Sequence, residues 1–258
     1  MLRGSLRDKE VEGPIFGGSL HIPSPEIVEW FGLLGFDFAL IDSEQGQMSV
    51  QTCTEMVRAA NAVGIHSVIR IPYHDARLID RSLNAGATGV MVPHITTVAQ
   101  AEELVAHTKY APIGHRSFAG HARASGYAQV HKADDYQAMA NRETMIFAII
   151  EDEDGLENLD DILKVDGLDV FSVGMRDLST SLGYQGDWNH PNVQKIVEEV
   201  VEKVIAAGRQ YWQSGSSDAE LAVRARRYDQ GVRYFTVGAL DLISRSANEI
   251  LKFREEVA

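Results

Sequence analysis

The chain has 258 residues, 45% hydrophobic and 24% charged, with a formal net charge of −13. That composition is ordinary for a globular protein, and so acidic a surface repels phosphate backbones, which excludes nucleic acid as an expected partner. No apolar run approaches the roughly 20 residues that span a bilayer, and the polar start "MLRGSLRDKEVEGP" lacks the apolar core of a signal peptide, so a cytoplasmic chain without a membrane partner is expected. The single cysteine, Cys53, sits in a helical pattern, where it reads as a small buried hydrophobe.

In chain order, residues 1–12 read as a flexible N-terminal extension, and "IFGGSL" (15–20) as a first strand. "SPEIVEWFGLLG" opens a helix with Ser24 as N-cap and Pro25 at the first helical position, and Gly35 closes it. "FDFALID" (36–42) is a strand, and "SVQTCTEMVRAANAVG" a helix from Ser49 to Gly64. "HSVIRI" (66–71), the helix "RLIDRSLNAG", "GVMVP" (89–93) and the helix "TVAQAEELVAHTKY" follow. Ala111 to Asp135, rich in Gly, Ala, His and Arg, reads as a functional loop. Then come "MIFAII" (145–150), the helix "GLENLDDILKVDG", "DVFSVG" (169–174) and the long helix "HPNVQKIVEEVVEKVIAAG". "RQYWQS" (209–214), the helix "SDAELAVRARRYDQG" and "RYFTVG" (233–238) complete the alternation. Strands alternating with helices imply a parallel sheet, and this number in one chain of this length favours a single α/β domain, a (β/α)₈ TIM barrel over residues 1–258. No glycine-rich phosphate turn follows the first strand, which argues against an open dinucleotide-binding sheet.

A barrel places its site at the C-terminal ends of its strands. There the sequence puts Asp42, Ser43, Glu44 and Gln45, then Arg70, then His94, then Glu151 and Asp152, then Met175, Arg176 and Asp177, and then Ser214. Glu151 and Asp177 follow neighbouring strands, a pairing that suits a hard divalent cation holding several waters; the alternative is that they cap the helices they precede. Arg70 at a buried strand end needs an anion, either a substrate carboxylate or a structural partner in Asp42 or Glu44.

The segments "GFDFALIDSE", "VIRIPYHD", "NAGATGVMVPHITTVAQAE", "HARAS", "AIIEDEDGLENLDDILKVDGLDVFSVGMRDLSTSLG" and "HPNVQ" resemble the HpcH/HpaI aldolase family, from about Gly13 to the C-terminus. The resemblance implies a (β/α)₈ barrel, a hexamer built as a trimer of dimers, and a divalent cation (Mg²⁺, Mn²⁺ or Co²⁺). It implies a carbon–carbon lyase of the aldolase type acting on a small 2-oxo acid through a pyruvate enolate. Carried over residue by residue, Glu151 and Asp177 become metal ligands and Arg70 grips the 2-oxo acid. Gly174, Met175 and Arg176 become the backbone that receives its carboxylate.

The chain departs from that pattern where the family's base, a histidine after Asp-x-Glu, is Gln45, and where the carboxylate partnering that histidine is Asn84. Neither amide accepts a proton near neutral pH. Three explanations stand open. His21, after the first strand, or His74 or His94, supplies another base; the reaction is a base-independent decarboxylation of an oxaloacetate-type acid; or the enzyme performs a related condensation. A barrel that binds ligand without catalysis is the remaining alternative. Ser214 opens "SGSSDAE", which suits an anion or a plain helix cap. Arg123 and Ser125 in "RASG" are read either as closing over the site from the long loop or as part of a surface loop, and "VRARRY" (Arg224 to Arg227) as a solvated helix face.

Overall fold

The computed structural model describes residues 5–215 and 218–256. Among them eight parallel strands close a barrel in sequence order: β1 (Ile15–Leu20), β2 (Phe38–Asp42), β3 (His66–Arg70), β4 (Gly89–Val92), β5 (Met145–Ile150), β6 (Val170–Val173), β7 (Gln210–Ser214) and β8 (Tyr234–Gly238). Strands β2, β4, β5 and β6 are buried along their whole length, as expected of parallel strands sandwiched between a filled lumen and a helical layer.

The outer layer comprises α1 (Pro25–Leu33), α2 (Val50–Val63), α3 (Ala76–Ala85), α4 (Val98–Thr108), α5 (Ala133–Glu143), α6 (Glu153–Glu157), α7 (Leu159–Ile162), α8 (Met175–Ser181), α9 (Pro191–Ala206), α10 (Asp218–Asp229) and α11 (Ala239–Glu256). The expected punctuation is present. Ser24 and Ser49 accept the Ile27 and Thr52 amides at 3.3 Å and 3.1 Å, and Gly64 ends α2 at φ 82°, a conformation open to glycine without a Cβ clash. Cys53 is buried and unpaired. The helix read over "GLENLDDILKVDG" is split at Asn158, whose side-chain amide donates to the Thr96 carbonyl at 2.8 Å. None of the helices over the described residues is long and apolar enough to cross a membrane.

Two apolar cores divide the work. One lies between strands and helices; the other fills the lumen with Ile15, Phe38, Val68, Met145, Phe147 and Tyr234. The lumen is stoppered at its N-terminal mouth by a 3-10 helix, Leu6–Val11, capped reciprocally by Ser5 and Asp8. Leu6 is 0% exposed, Arg7 pairs with Asp169 at 2.6 Å, and the Tyr234 hydroxyl donates to Glu10 at 2.6 Å. Residues 5–12, expected as part of a flexible extension over 1–12, lie against the barrel through one leucine and two polar anchors.

The segment after α4 is irregular up to α5. Buried Arg116 reaches the Asn84 side-chain oxygen at 2.9 Å, and Arg123 reaches the Ala85 carbonyl at 3.0 Å. Ser125 donates to the Gly120 carbonyl at 2.6 Å. All three therefore belong to a layer under the C-terminal end of α3, at the strands' N-terminal mouth. The expectation that Arg123 and Ser125 close over their own barrel's site is overturned, because α3 runs back from the rim before it meets them.

Candidate active site

At the C-terminal mouth the strand ends enclose a cavity of about 490 Å³, lined by Gln45, Arg70, Glu151, Gly174, Met175, Arg176, Asp177 and Ser214 together with Trp188 and the β7 residues Tyr211, Trp212 and Gln213. Of the expected site residues, Gln45, Arg70, Glu151, Gly174, Met175, Arg176, Asp177 and Ser214 face this one space, whereas the candidate bases His21, His74 and His94 do not line it. Ser216 and Ser217, expected to extend the β7 loop, lie outside the described residues.

Asp42 and Arg70 are partners in the β2–β3 register, so their side chains emerge side by side. Arg70 Nη1 lies 3.3 Å from Asp42 Oδ2, and its Nε pairs with Glu44. The structural ion pairs read from sequence are thus present, and the same guanidinium still lines the cavity. Burial pushes the Glu44 carboxyl above its usual range against the pull of Arg70.

Asp42 is 2% exposed and uses both oxygens. Oδ1 accepts the backbone N–H groups of Glu44 and Gln45 at 3.0 Å and 2.9 Å. Oδ2 meets Arg70 and, at 3.2 Å, His21 Nε2. Burial works against its charge, but His21 and Arg70 outweigh it and hold its pKa below the usual value.

Glu151 is 1% exposed. Its Oε1 accepts the His94 backbone N–H at 3.1 Å, while Oε2 is buried and has no hydrogen-bond partner. Gly174 lies against this carboxylate so closely that a Cβ there would overlap it. Burial pushes the Glu151 pKa up, and Asp177 adds to the push against Arg70 and His94. Neither Glu151 nor Asp177 acts as a helix cap: the N-cap positions are Asp152 and Gly174, and neither makes a side-chain cap bond. The first turn of α8 therefore presents uncapped N–H groups beside the cavity.

A buried, unpartnered carboxylate oxygen beside a second carboxylate is costly unless a cation meets it. Oxygen donors of this kind fit Mg²⁺, Mn²⁺ or Co²⁺. No cluster of three or more His, Cys, Asp or Glu suited to a metal occurs among the described residues, so two carboxylates would leave the remaining positions to water and substrate oxygens.

The other histidines divide by environment. His94, at φ 55°, puts its ring Nδ1 3.0 Å from Asp152, tying that turn to Glu151. The His74 ring nitrogens are buried without a hydrogen-bond partner, and burial holds its pKa below the ordinary imidazole value; it is absent from the cavity wall. Asp75 is spent as the cap of α3. Asn84, as its place at the end of α3 implied, lies at the opposite mouth from Gln45 of the same chain.

Sequence reasoning missed Trp188 and Trp212. Trp188 stands in a polar loop, where an isolated indole was the available signal; Trp212 belongs to the inward alternation of β7, with its indole N–H donating to Thr236 at 2.9 Å. It also misjudged "VRARRY". Arg227 is 2% exposed, holds Glu198 at 2.7 Å and 2.8 Å, and reaches Gln213 of the cavity wall at 3.2 Å. Arg224 donates to the Gly215 carbonyl at 2.5 Å. The run is a bracket behind β7 because α10 packs its arginines toward α9 and the strand.

Comparison with known proteins gives a consistent set of likenesses. The profile of the HpcH/HpaI aldolase/citrate lyase family matches residues 20–255. The chain is 34% identical over 230 residues to the hydroxypyruvate/pyruvate aldolase of Roseobacter denitrificans, covering 88% of this chain and 87% of that one. It is 31% identical over 250 residues to the 5-keto-4-deoxy-D-glucarate aldolase of Shigella boydii, covering 96% and 93%. The crystal structure of citrate synthase SbnG superposes with a TM-score of 0.86 at 30% identity, covering 98% of each chain.

Proposed function

The chain belongs to the HpcH/HpaI aldolase/citrate lyase family, and from that premise we propose that it is an aldolase-type carbon–carbon lyase cleaving a small 4-hydroxy-2-oxo acid to pyruvate and an aldehyde. The observation that carries the reading is the buried, unpaired Oε2 of Glu151, facing the same cavity as Asp177 and Arg70. Glu151 and Asp177 hold the divalent cation, which supplies a Lewis acid toward the 2-oxo group.

Arg70, fixed through Nε by Glu44 and through Nη1 by Asp42, directs its remaining donor surface at the 2-oxo acid. The backbone from Gly174 to Arg176, at the open end of α8, receives the acid's carboxylate. Gln45 and Ser214 are placed to orient the distal hydroxyls, and Trp188 and Trp212 line the same cavity. A second reading, decarboxylation of an oxaloacetate-type acid, draws support from Gln45, which cannot titrate.

The site functions in an assembly of identical chains, proposed as a hexamer arranged as a trimer of dimers. Support comes from apolar faces left open on the single chain: Trp30, Leu33 and Leu34 on α1, and Ile250, Leu251 and Phe253 on α11.

The test is pyruvate release from 4-hydroxy-2-oxo acids, run beside CO₂ release from oxaloacetate. Chelator-treated protein regains pyruvate release on addition of Mg²⁺, Mn²⁺ or Co²⁺. Glu151→Ala and Asp177→Ala each abolish it with the fold intact, since both side chains line a cavity and neither belongs to an apolar core. Full activity in either variant removes the assignment; CO₂ release without pyruvate from hydroxy acids selects the second reading.

A further inference from the structure

Gln45 leaves the cavity without a proton acceptor at the expected place, but the carboxylate beside it is not idle. Asp42 is buried, accepts two backbone N–H groups through Oδ1, and offers Oδ2 to His21 Nε2 at 3.2 Å and to Arg70 Nη1 at 3.3 Å. One oxygen therefore joins the imidazole to the guanidinium that faces the cavity. His21 follows β1 directly, and its carbonyl lies against Gly46, where a Cβ would press on it and on the Asp42 carbonyl; the β2 rim loop is thus packed onto the histidine.

We propose that His21 is the proton acceptor of this site and that Asp42 is the group that orients it. An ionised carboxylate only accepts, so the 3.2 Å contact favours the tautomer that keeps its proton on Nε2, which leaves the free lone pair of the neutral ring on Nδ1. The ring is half exposed beside Asp42 and outside the cavity wall, so the proton is taken to pass through water. An Asp–His pair built from β1 and β2 thus replaces the missing histidine on the loop after β2.

This rests on the aldolase reading. In the cleavage direction, Nδ1 takes the C4 hydroxyl proton through water. The C3–C4 bond breaks as the C4–O bond becomes a carbonyl, and its electron pair passes to the C2 carbonyl to give the pyruvate enolate. The imidazolium returns the proton to C3, so pyruvate leaves and the neutral ring is regenerated with no net proton exchanged.

The groups facing the ring set the sign of its pH dependence. The Asp42 hydrogen bond raises its pKa above 6.5; burial and Arg70 oppose this, and Asp241 at the start of α11 adds to it. A protonated ring cannot accept, so the rate falls as pH drops through that raised value.

The experiment is hydrogen–deuterium exchange at C3 of pyruvate, followed by proton NMR with Mg²⁺ or Mn²⁺ present. Wild type is expected to exchange with an acid limb above pH 6.5. His21→Gln is expected to exchange at least about 10²-fold more slowly without that limb, and His21→Ala to regain at least about tenfold on addition of imidazole, which a merely structural histidine would not allow. His21 is exposed, so neither variant removes core packing. Exchange in His21→Gln within about threefold of wild type, acid limb retained, overturns the proposal alone. Absence of exchange in wild type overturns the aldolase reading and this one with it.

Discussion

Arg70 is held by structural ion pairs and is proposed to serve the chemistry as well. Its Nε faces Glu44, its Nη1 faces Asp42, and the rest of the guanidinium lines the cavity. A lysine keeps the charge but offers a single point donor, so it cannot satisfy two carboxylates and grip a 2-oxo acid together. Arg70→Lys is expected to lower kcat/KM for pyruvate release by at least about 10²-fold, on the order of 3 kcal/mol of transition-state stabilisation. An unchanged kcat/KM would make Arg70 structural only. The residue types at this rim were legible, because carboxylates and an arginine closing apolar runs stand out in any reading. Which oxygen faces which nitrogen was not, because Asp42 Oδ2, Arg70 and His21 come from three strand ends whose contact depends on register.

Among the elements, the N-terminal 3-10 helix departs furthest from its appearance in sequence. Its six residues carry two apolar side chains: Leu6 closes the lumen, while Val11 stands exposed. Leu6→Ala should cost about 2–4 kcal/mol in urea unfolding, from lost transfer energy and the cavity left beneath it. A loss under about 0.5 kcal/mol would mean that the segment only rests on the barrel. The bracket from α10 to α9 was hidden for a related reason. Four residues with three arginines read as a wet face, yet Arg227 is paired twice with Glu198. Burial opposes the Glu198 charge and the two arginines, Arg227 and Arg226, outweigh it, so its pKa lies below the ordinary 4.5. That stabilisation is present above the ordinary value and is lost as pH falls through the lowered one.

At the scale of the whole molecule, α11 is the element the single chain does not accommodate. Its 18 residues span about 27 Å, but only its first turn, with Ala239 and Leu242, packs on the core. Ile250, Leu251 and Phe253 stand 73%, 48% and 66% exposed, and Trp30 on α1 stands 71% exposed. Apolar area of this kind calls for a partner surface, and with a net charge of −13 a second copy must be held by apolar contact against mutual repulsion. If the proposed assembly forms through this face, Ile250→Asp with Phe253→Asp should shift the light-scattering mass of the native particle to smaller species without lowering helical content. A variant that elutes at the wild-type mass would exclude α11 from the assembly contacts.

The sequence by itself determined the strands, most helices with their caps, the closed parallel architecture, and the identity of the rim residues. These follow from local signals: apolar runs, 3.6-residue periodicity, Ser and Gly at helix ends, and the rule that barrel sites gather at strand C-termini. Only the tertiary structure decided that Glu151 Oε2 is left without a hydrogen-bond partner, that Arg123 and Ser125 lie beneath α3, that Leu6 plugs the lumen, and that His21 leans on Asp42. Each of these is a contact between residues distant in sequence or a consequence of helix direction. Periodicity records how a segment is buried, whereas the partner it meets is fixed by strand register and by the path of the chain around the barrel.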